Sequence, residues 1–220
     1  MKSTLKNMTA VLFGITLVAS AGVGAVNMIT AEPIALAEQA AKVEALKGVL
    51  PAFDATTPET MTIDEMPITV YTATSGDEVV GYAVESMSKL GFGGAINLMV
   101  GFTPVGEVIN VNVLKQTETP GLGTKMADEG NPLLASIQGQ NLAQKQLVDG
   151  KLAVRKDGGD VDALTAATIS SRAYVDAINR AWMAYKSVAT GEAATDVASG
   201  ASNTAAATSE PAAQEGGQNE

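Results

Sequence analysis

The sequence predicts an α+β protein: a single N-terminal transmembrane helix, then one extracytoplasmic domain with an antiparallel sheet flanked by helices, then a disordered tail. Three observations lead there. Twenty consecutive residues near the start carry no charge, a block of short β-rich runs separated by turn residues fills the middle, and helical periodicity resumes before the composition collapses at the end.

The uncharged stretch is Ala10 to Ile29, which as a helix spans roughly 30 Å, the thickness of a bilayer's hydrocarbon core. Lys2 and Lys6 precede it and Glu32 and Glu38 follow, so the positive-inside bias puts the N-terminus in the cytoplasm and the rest outside. A cleaved secretory signal competes with an anchor, because Ala19-Ser20-Ala21 resembles a cleavage site, but cleavage there would leave an apolar stub. Both readings export the domain.

Pro33 is expected to open a second helix over Ile34 to Val49, where Leu36, Ala40, Val43, Leu46 and Val49 recur at helical spacing; Pro51 ends it. A polar Thr/Pro/Asp stretch to Met66 reads as linker. Residues 68–75 and 78–86, either side of Gly76-Asp77, read as a hairpin, and 93–103 and 107–117 add two more strands. A short helix is expected over Pro132 to Gln138, a fifth strand over 151–156, and a longer helix over Ile169 to Tyr185 with Ile169, Ala173, Ala177, Ala181 and Tyr185 on its apolar face. From Ser187 onward Ala, Ser, Thr, Gly, Gln and Glu dominate, which predicts disorder. The divisions are therefore 1–31 for the stub and anchor, 32–65 for helix and linker, 66–186 for the domain and 187–220 for the tail.

Net charge is −10, and all 24 acidic residues lie beyond residue 31, so the exported part repels phosphate backbones and a nucleic-acid partner is not expected. Cysteine and histidine are absent. That removes disulfides, iron–sulfur clusters, histidine-ligated haem and histidine- or cysteine-based triads, and no metal site is expected. Redox chemistry on this chain requires a bound organic cofactor. An acid–base hydrolase built on Asp54, Asp64 or Asp157 finds no support in their spacing.

Two turns are candidates for chemistry. In Thr117–Lys125, TETPGLGTK, Pro120-Gly121 suits the centre of a type II turn; beyond that structural role, Gly121 and Gly123 permit close approach to a planar ligand, with Glu118, Thr119 and Thr124 as hydrogen-bonding groups and Lys125 as a charge. In Asp162–Ser171, DALTAATISS, four hydroxyls (Thr165, Thr168, Ser170, Ser171) crowd a helix start. They serve either as helix caps or as part of a phosphate site, since a helix N-terminus offers free N–H groups and partial positive charge.

The order of anchor, TAEPI, GYAVES, GFGGAINLMVGF, TETPGLGTK and DALTAATISS resembles the G-subunit family of Rnf-type ion-translocating electron-transport complexes, over roughly residues 5–186. It is also similar to the C-subunit family of the sodium-translocating NADH:quinone oxidoreductases, which shares the domain and the anchor; an anchored, non-redox interaction module is the alternative from another class. The resemblance implies an FMN-binding domain over 66–186 and an electron relay in a ferredoxin:NAD oxidoreductase complex. It implies that a separate flavin transferase recognises Asp162 and the following loop and esterifies FMN to Thr168, with Thr165, Ala166 and Ala167 around it. Glu118, Thr119, Gly121, Leu122, Gly123 and Lys125 would then hold the flavin. Implied partners are the other membrane and redox subunits, that transferase, and membrane lipid. Ala166 stands where the family usually has glycine, and Gln116 where histidine is expected.

Overall fold

The structure, a computed structural model, describes residues 5–191. Helix α1 runs unbroken over Leu5–Val49. Pro33 lies inside it rather than starting a second helix, contrary to expectation. Proline deprives the carbonyl four residues back of its partner, yet the Ala-, Leu- and Glu-rich turns that follow it favour helix strongly enough to carry through. The N-terminal part of α1 is long and apolar enough to cross a membrane, and its apolar window is not buried by any of the described residues.

Five antiparallel strands follow in simple meander order: β1 (Ala55–Ile63), β2 (Met66–Ser75), β3 (Glu78–Ser88), β4 (Ile96–Phe102) and β5 (Val108–Lys115). Strand β1 corrects the sequence reading, which took these residues for linker. Its side chains are largely exposed because it forms the sheet's edge, so no apolar alternation marks it, and an edge tolerates Pro58. The turn into β2 is Asp64-Glu65 with φ of 49° and 60°, the positive values of a tight hairpin turn in a pair without glycine or asparagine. Arg180, buried in the last helix, reaches back to hold that turn, 3.1 Å from Asp64 and 2.5 Å from Asp176.

Beyond β5 come a 3-10 turn (Gly123–Ala127), a short helix α2 (Pro132–Ala135) capped by Asn131, and a two-residue hairpin of β6 (Leu147–Val148) and β7 (Lys151–Leu152). The expected strand over 151–156 is thus reduced to two residues outside the main sheet, and Arg155–Asp157 forms another 3-10 turn. Helix α3 covers Thr168–Thr190, passing the boundary predicted for the tail. The remainder of the predicted tail, from residue 192, lies outside the described residues.

Each face of the sheet is covered. Val70, Val84, Val100 and Phe102 pack against Tyr174, Ala177, Ile178 and Ala181 of α3. Their neighbours in sequence, Ala83 and Met99, point the other way and join Ala73 beneath Ala45, Leu46 and Val49 at the end of α1. Small residues make that second contact possible. A Cβ on Gly101 would lie 1.9 Å from the Val49 carbonyl oxygen. The Asn110 side-chain amide donates to the Gly48 carbonyl at 3.0 Å, and Lys42 pairs with Glu85 at 2.9 Å.

Gly101→Ala is therefore expected to lower stability by about 1–3 kcal/mol through overpacking. Urea unfolding of the full chain in detergent measures it, and an unaltered midpoint would mean that α1 is not seated on β4.

Candidate functional site

The site forms where three segments meet: the β3–β4 loop around Gly91-Phe92-Gly93, the turn after β5, and the start of α3. Their junction is Glu118, whose side chain is only 4% exposed. One carboxylate oxygen accepts the Gly93 N–H at 3.0 Å, and the other accepts the Ser170 hydroxyl. Thr117 strengthens the first contact by donating its hydroxyl to the Gly93 carbonyl at 2.9 Å. Gln116, which stands where the family resemblance leads one to expect histidine, accepts the Glu118 N–H at 2.7 Å. Gly123 completes the packing, since a Cβ there would come within 2.6 Å of Ser170 Oγ and 2.8 Å of Glu118 Oε2.

The Pro120-Gly121 turn forms as expected: the Thr119 carbonyl accepts the Leu122 N–H at 3.1 Å and Gly121 has φ of 73°. A similar turn faces it. There the Leu164 carbonyl accepts the Ala167 N–H at 3.2 Å, and Ala166 takes φ of 59°. Alanine is strained in a left-handed conformation that glycine adopts freely, which gives the substitution at this position a physical cost. Ser171, fully buried, secures the second turn by accepting the Leu164 N–H and donating to the Ala167 carbonyl, both at 2.9 Å.

Between the turns opens a cleft of about 460 Å³. Thr119, Leu122 and Gly123 line one wall, Ala166 to Ser170 the other, and Phe92 reaches it from the β3–β4 loop. Phe92, Ile169 and Leu122 are apolar yet 67%, 48% and 40% exposed. A larger groove along residues 5–15 is merely the apolar surface of α1.

Helix α3 begins without a cap: Ala167 occupies the capping position and no side chain accepts from the first turn. Of the two uses the sequence left open for these hydroxyls, capping is therefore not the one seen. The hydroxyls are used otherwise. Ser170 and Ser171 brace the loops, Thr165 is exposed away from the cleft lining, and Thr168, the first helical residue, lies on the wall. Thr168 Oγ1 accepts from Lys156 Nζ at 3.2 Å.

Of the residues predicted for the site, Thr119, Leu122, Gly123, Ala166, Ala167 and Thr168 line the cleft, with Glu118 packed behind them. Gly121 is at the tip of its turn. Lys125 is exposed and does not contribute to the lining. Asp162 pairs with Arg155. Sequence reasoning missed Phe92, Ile169, which it assigned to the core face of α3, and Lys156. An aromatic flanked by glycines in GFGG was the available signal for Phe92; a lysine twelve residues before Thr168 carries none.

Residues 91–183, which hold both walls of the cleft and the uncapped helix start, match the family profile described as an FMN-binding domain, and that match places the chain in a flavin-binding class. At greater length, the G subunit of an ion-translocating oxidoreductase complex from Shewanella amazonensis is 32% identical over 190 residues, 81% of this chain and 86% of that protein. The chain belongs to that G-subunit family. Relatives of the same description are 42% identical in Shewanella loihica, over 54% of each chain, and 38% identical in Escherichia coli, over 51% of this chain and 53% of that one. In these two alignments the chain spans about half the relative's length.

The packing around Glu118 and the second turn sets the stability of two variants in opposite directions. Glu118→Ala leaves a buried N–H without its acceptor and is expected to cost about 1–3 kcal/mol, whereas Ala166→Gly should gain about 0.5–1 kcal/mol by relieving the positive φ. Thermal denaturation of both variants checks them, and a gain in the first or a loss in the second would contradict the packing described.

Proposed function

We propose that this chain is an electron-relay subunit of a membrane-bound, Rnf-type ferredoxin:NAD oxidoreductase complex, carrying FMN through a phosphoester to Thr168. The observation that carries the reading is the position of the Thr168 hydroxyl at the uncapped start of α3, on the wall of the cleft.

The residues present fit the cofactor. Free N–H groups and the helix dipole favour a phosphate at Thr168, as they would any anion there. Phe92, Leu122 and Ile169 offer apolar surface for a planar ring, and Thr119 and Gly123 offer backbone close to it. FMN, when bound, supplies reversible electron uptake and release. The chain's part is to hold and shield: the Thr119–Leu122 turn forms one wall, Glu118 fixes that wall to α3, and the apolar rim excludes water. Lys125, an exposed residue, is the candidate for tuning the flavin's potential from outside the cleft.

Attachment needs a separate flavin transferase with FAD as donor. The Thr168 oxygen forms a bond to the FMN phosphorus, the phosphoanhydride bond breaks, AMP leaves, and the hydroxyl proton passes to a base on the transferase. Such a tether suits an exported domain, because free FMN outside the cytoplasm is dilute while an ester keeps the site filled. With the lysines before the span inside, the flavin domain stands on the extracytoplasmic side, in contact with the complex's other membrane and redox subunits. Ion movement belongs to those partners, since Ala10–Ile29 contains no ionisable group.

Thr168→Ala, co-expressed with a competent transferase, should give a folded chain whose denatured band has lost flavin fluorescence, and Thr165→Ala should keep it. Loss with Thr165→Ala alone would move the acceptor, and a colourless wild-type protein would favour an interaction module without redox function.

A further inference from the structure

Around the start of α3 three cations come together, and they are not equivalent. Arg155 is bound to the Asp162 carboxylate, and Arg172 grips Asp157 through two bonds, at 2.7 and 2.6 Å. Those bonds, with a smaller contribution from the nearby Lys156 charge, hold the Asp157 carboxyl below its usual range. Lys156, between them in the 3-10 turn, ends instead on the neutral hydroxyl of Thr168 at 3.2 Å.

The turn that carries Lys156 is fixed on both sides. Its flanking residues Arg155 and Asp157 are tied to Asp162 and Arg172, and backbone bonds from Arg155 N–H to the Val161 carbonyl at 2.9 Å and from Asp157 N–H to the Val154 carbonyl at 2.8 Å close its base. The ammonium is thereby carried to Thr168 by a braced turn, not by a free loop. In a chain of net charge −10, a cation resting on an uncharged oxygen is a local site for an anion.

We propose that Lys156 is a positioning residue, the counter-charge for the phosphate of the flavin at Thr168. This rests on the reading of Thr168 as the FMN site. A phosphodiester formed on the Thr168 oxygen carries one negative charge on the phosphate's two non-bridging oxygens, two bonds from the atom that Lys156 already contacts. Lysine suits the task because its compact, rotatable ammonium can follow from the hydroxyl to a phosphate oxygen. The same contact would help free FMN settle before the ester forms.

Comparing FMN with riboflavin isolates the phosphate, since the two share one ring. The full chain, purified in detergent from cells without a flavin transferase, is titrated with each by quenching of flavin fluorescence. At low salt the wild type should prefer FMN by roughly three- to tenfold, and the preference should shrink as salt rises. Lys156→Met should bring the ratio close to one with riboflavin affinity unchanged, and Lys156→Arg should keep most of the preference. An undiminished, salt-sensitive FMN preference in Lys156→Met, or none in the wild type, overturns the proposal. No ester is involved in this experiment. If attached flavin maps to another hydroxyl while Lys156→Met still loses the preference, the Thr168 reading fails and the phosphate seat stands; the reverse pattern removes the seat alone.

Discussion

The site depends on one buried carboxylate. Taking Glu118 out of water is unfavourable unless both its oxygens are engaged, and the two donors that engage them come from places 25 residues before and 52 residues after it in the chain. The β3–β4 loop, the turn after β5 and the first turn of α3 are thus fastened at one point. Without that fastening the Thr119–Leu122 turn would have no fixed relation to Thr168, and the cleft would lose its width. Gly123 is part of the same constraint, because only a residue lacking a Cβ leaves room for Ser170 to reach the carboxylate.

The sheet connects this junction to the membrane-spanning helix. Helix α3 lies on one face and the end of α1 on the other, each in contact with alternate residues of β3 and β4. With Gly101 against the Val49 carbonyl and Asn110 bonded to Gly48, α1 passes into the domain as a docked element. On the proposed reading of a membrane-anchored electron relay, helix length and packing would then set the height of the cleft above the bilayer, a useful property because transfer between cofactors depends steeply on separation.

Much of this was legible from local pattern. The span, the hairpin at Gly76-Asp77, strands β4 and β5 and the helix after Thr168 all follow from charge, alternation and turn chemistry, and the Pro120-Gly121 turn formed with the predicted geometry. What escaped was non-local. Strand β1 looks like linker because an edge strand has little apolar face to reveal it, and α1 looks like two helices because proline is a breaker only where its surroundings do not favour helix strongly. Glu118 was singled out as a group facing a ligand, whereas it works from behind the wall; its partners Gly93 and Ser170 are distant in sequence. Capping was the ordinary expectation for a threonine at a helix start, but here Ser170 and Ser171 turn to the loops and Thr168 to the cleft. Lys156 could be found only once the 155–157 turn was seen to lie beside α3.

The central claim is that a single hydroxyl, that of Thr168, carries the flavin. Its most direct test is peptide mapping by tandem mass spectrometry of the protein isolated from its native membrane. One modified peptide spanning Asp162–Arg172 is expected, heavier by FMN less one water, with fragment ions assigning the mass to Thr168. An unmodified Thr168 in protein that still holds flavin, or a flavin mass on Thr165, Ser170 or Ser171, would contradict it.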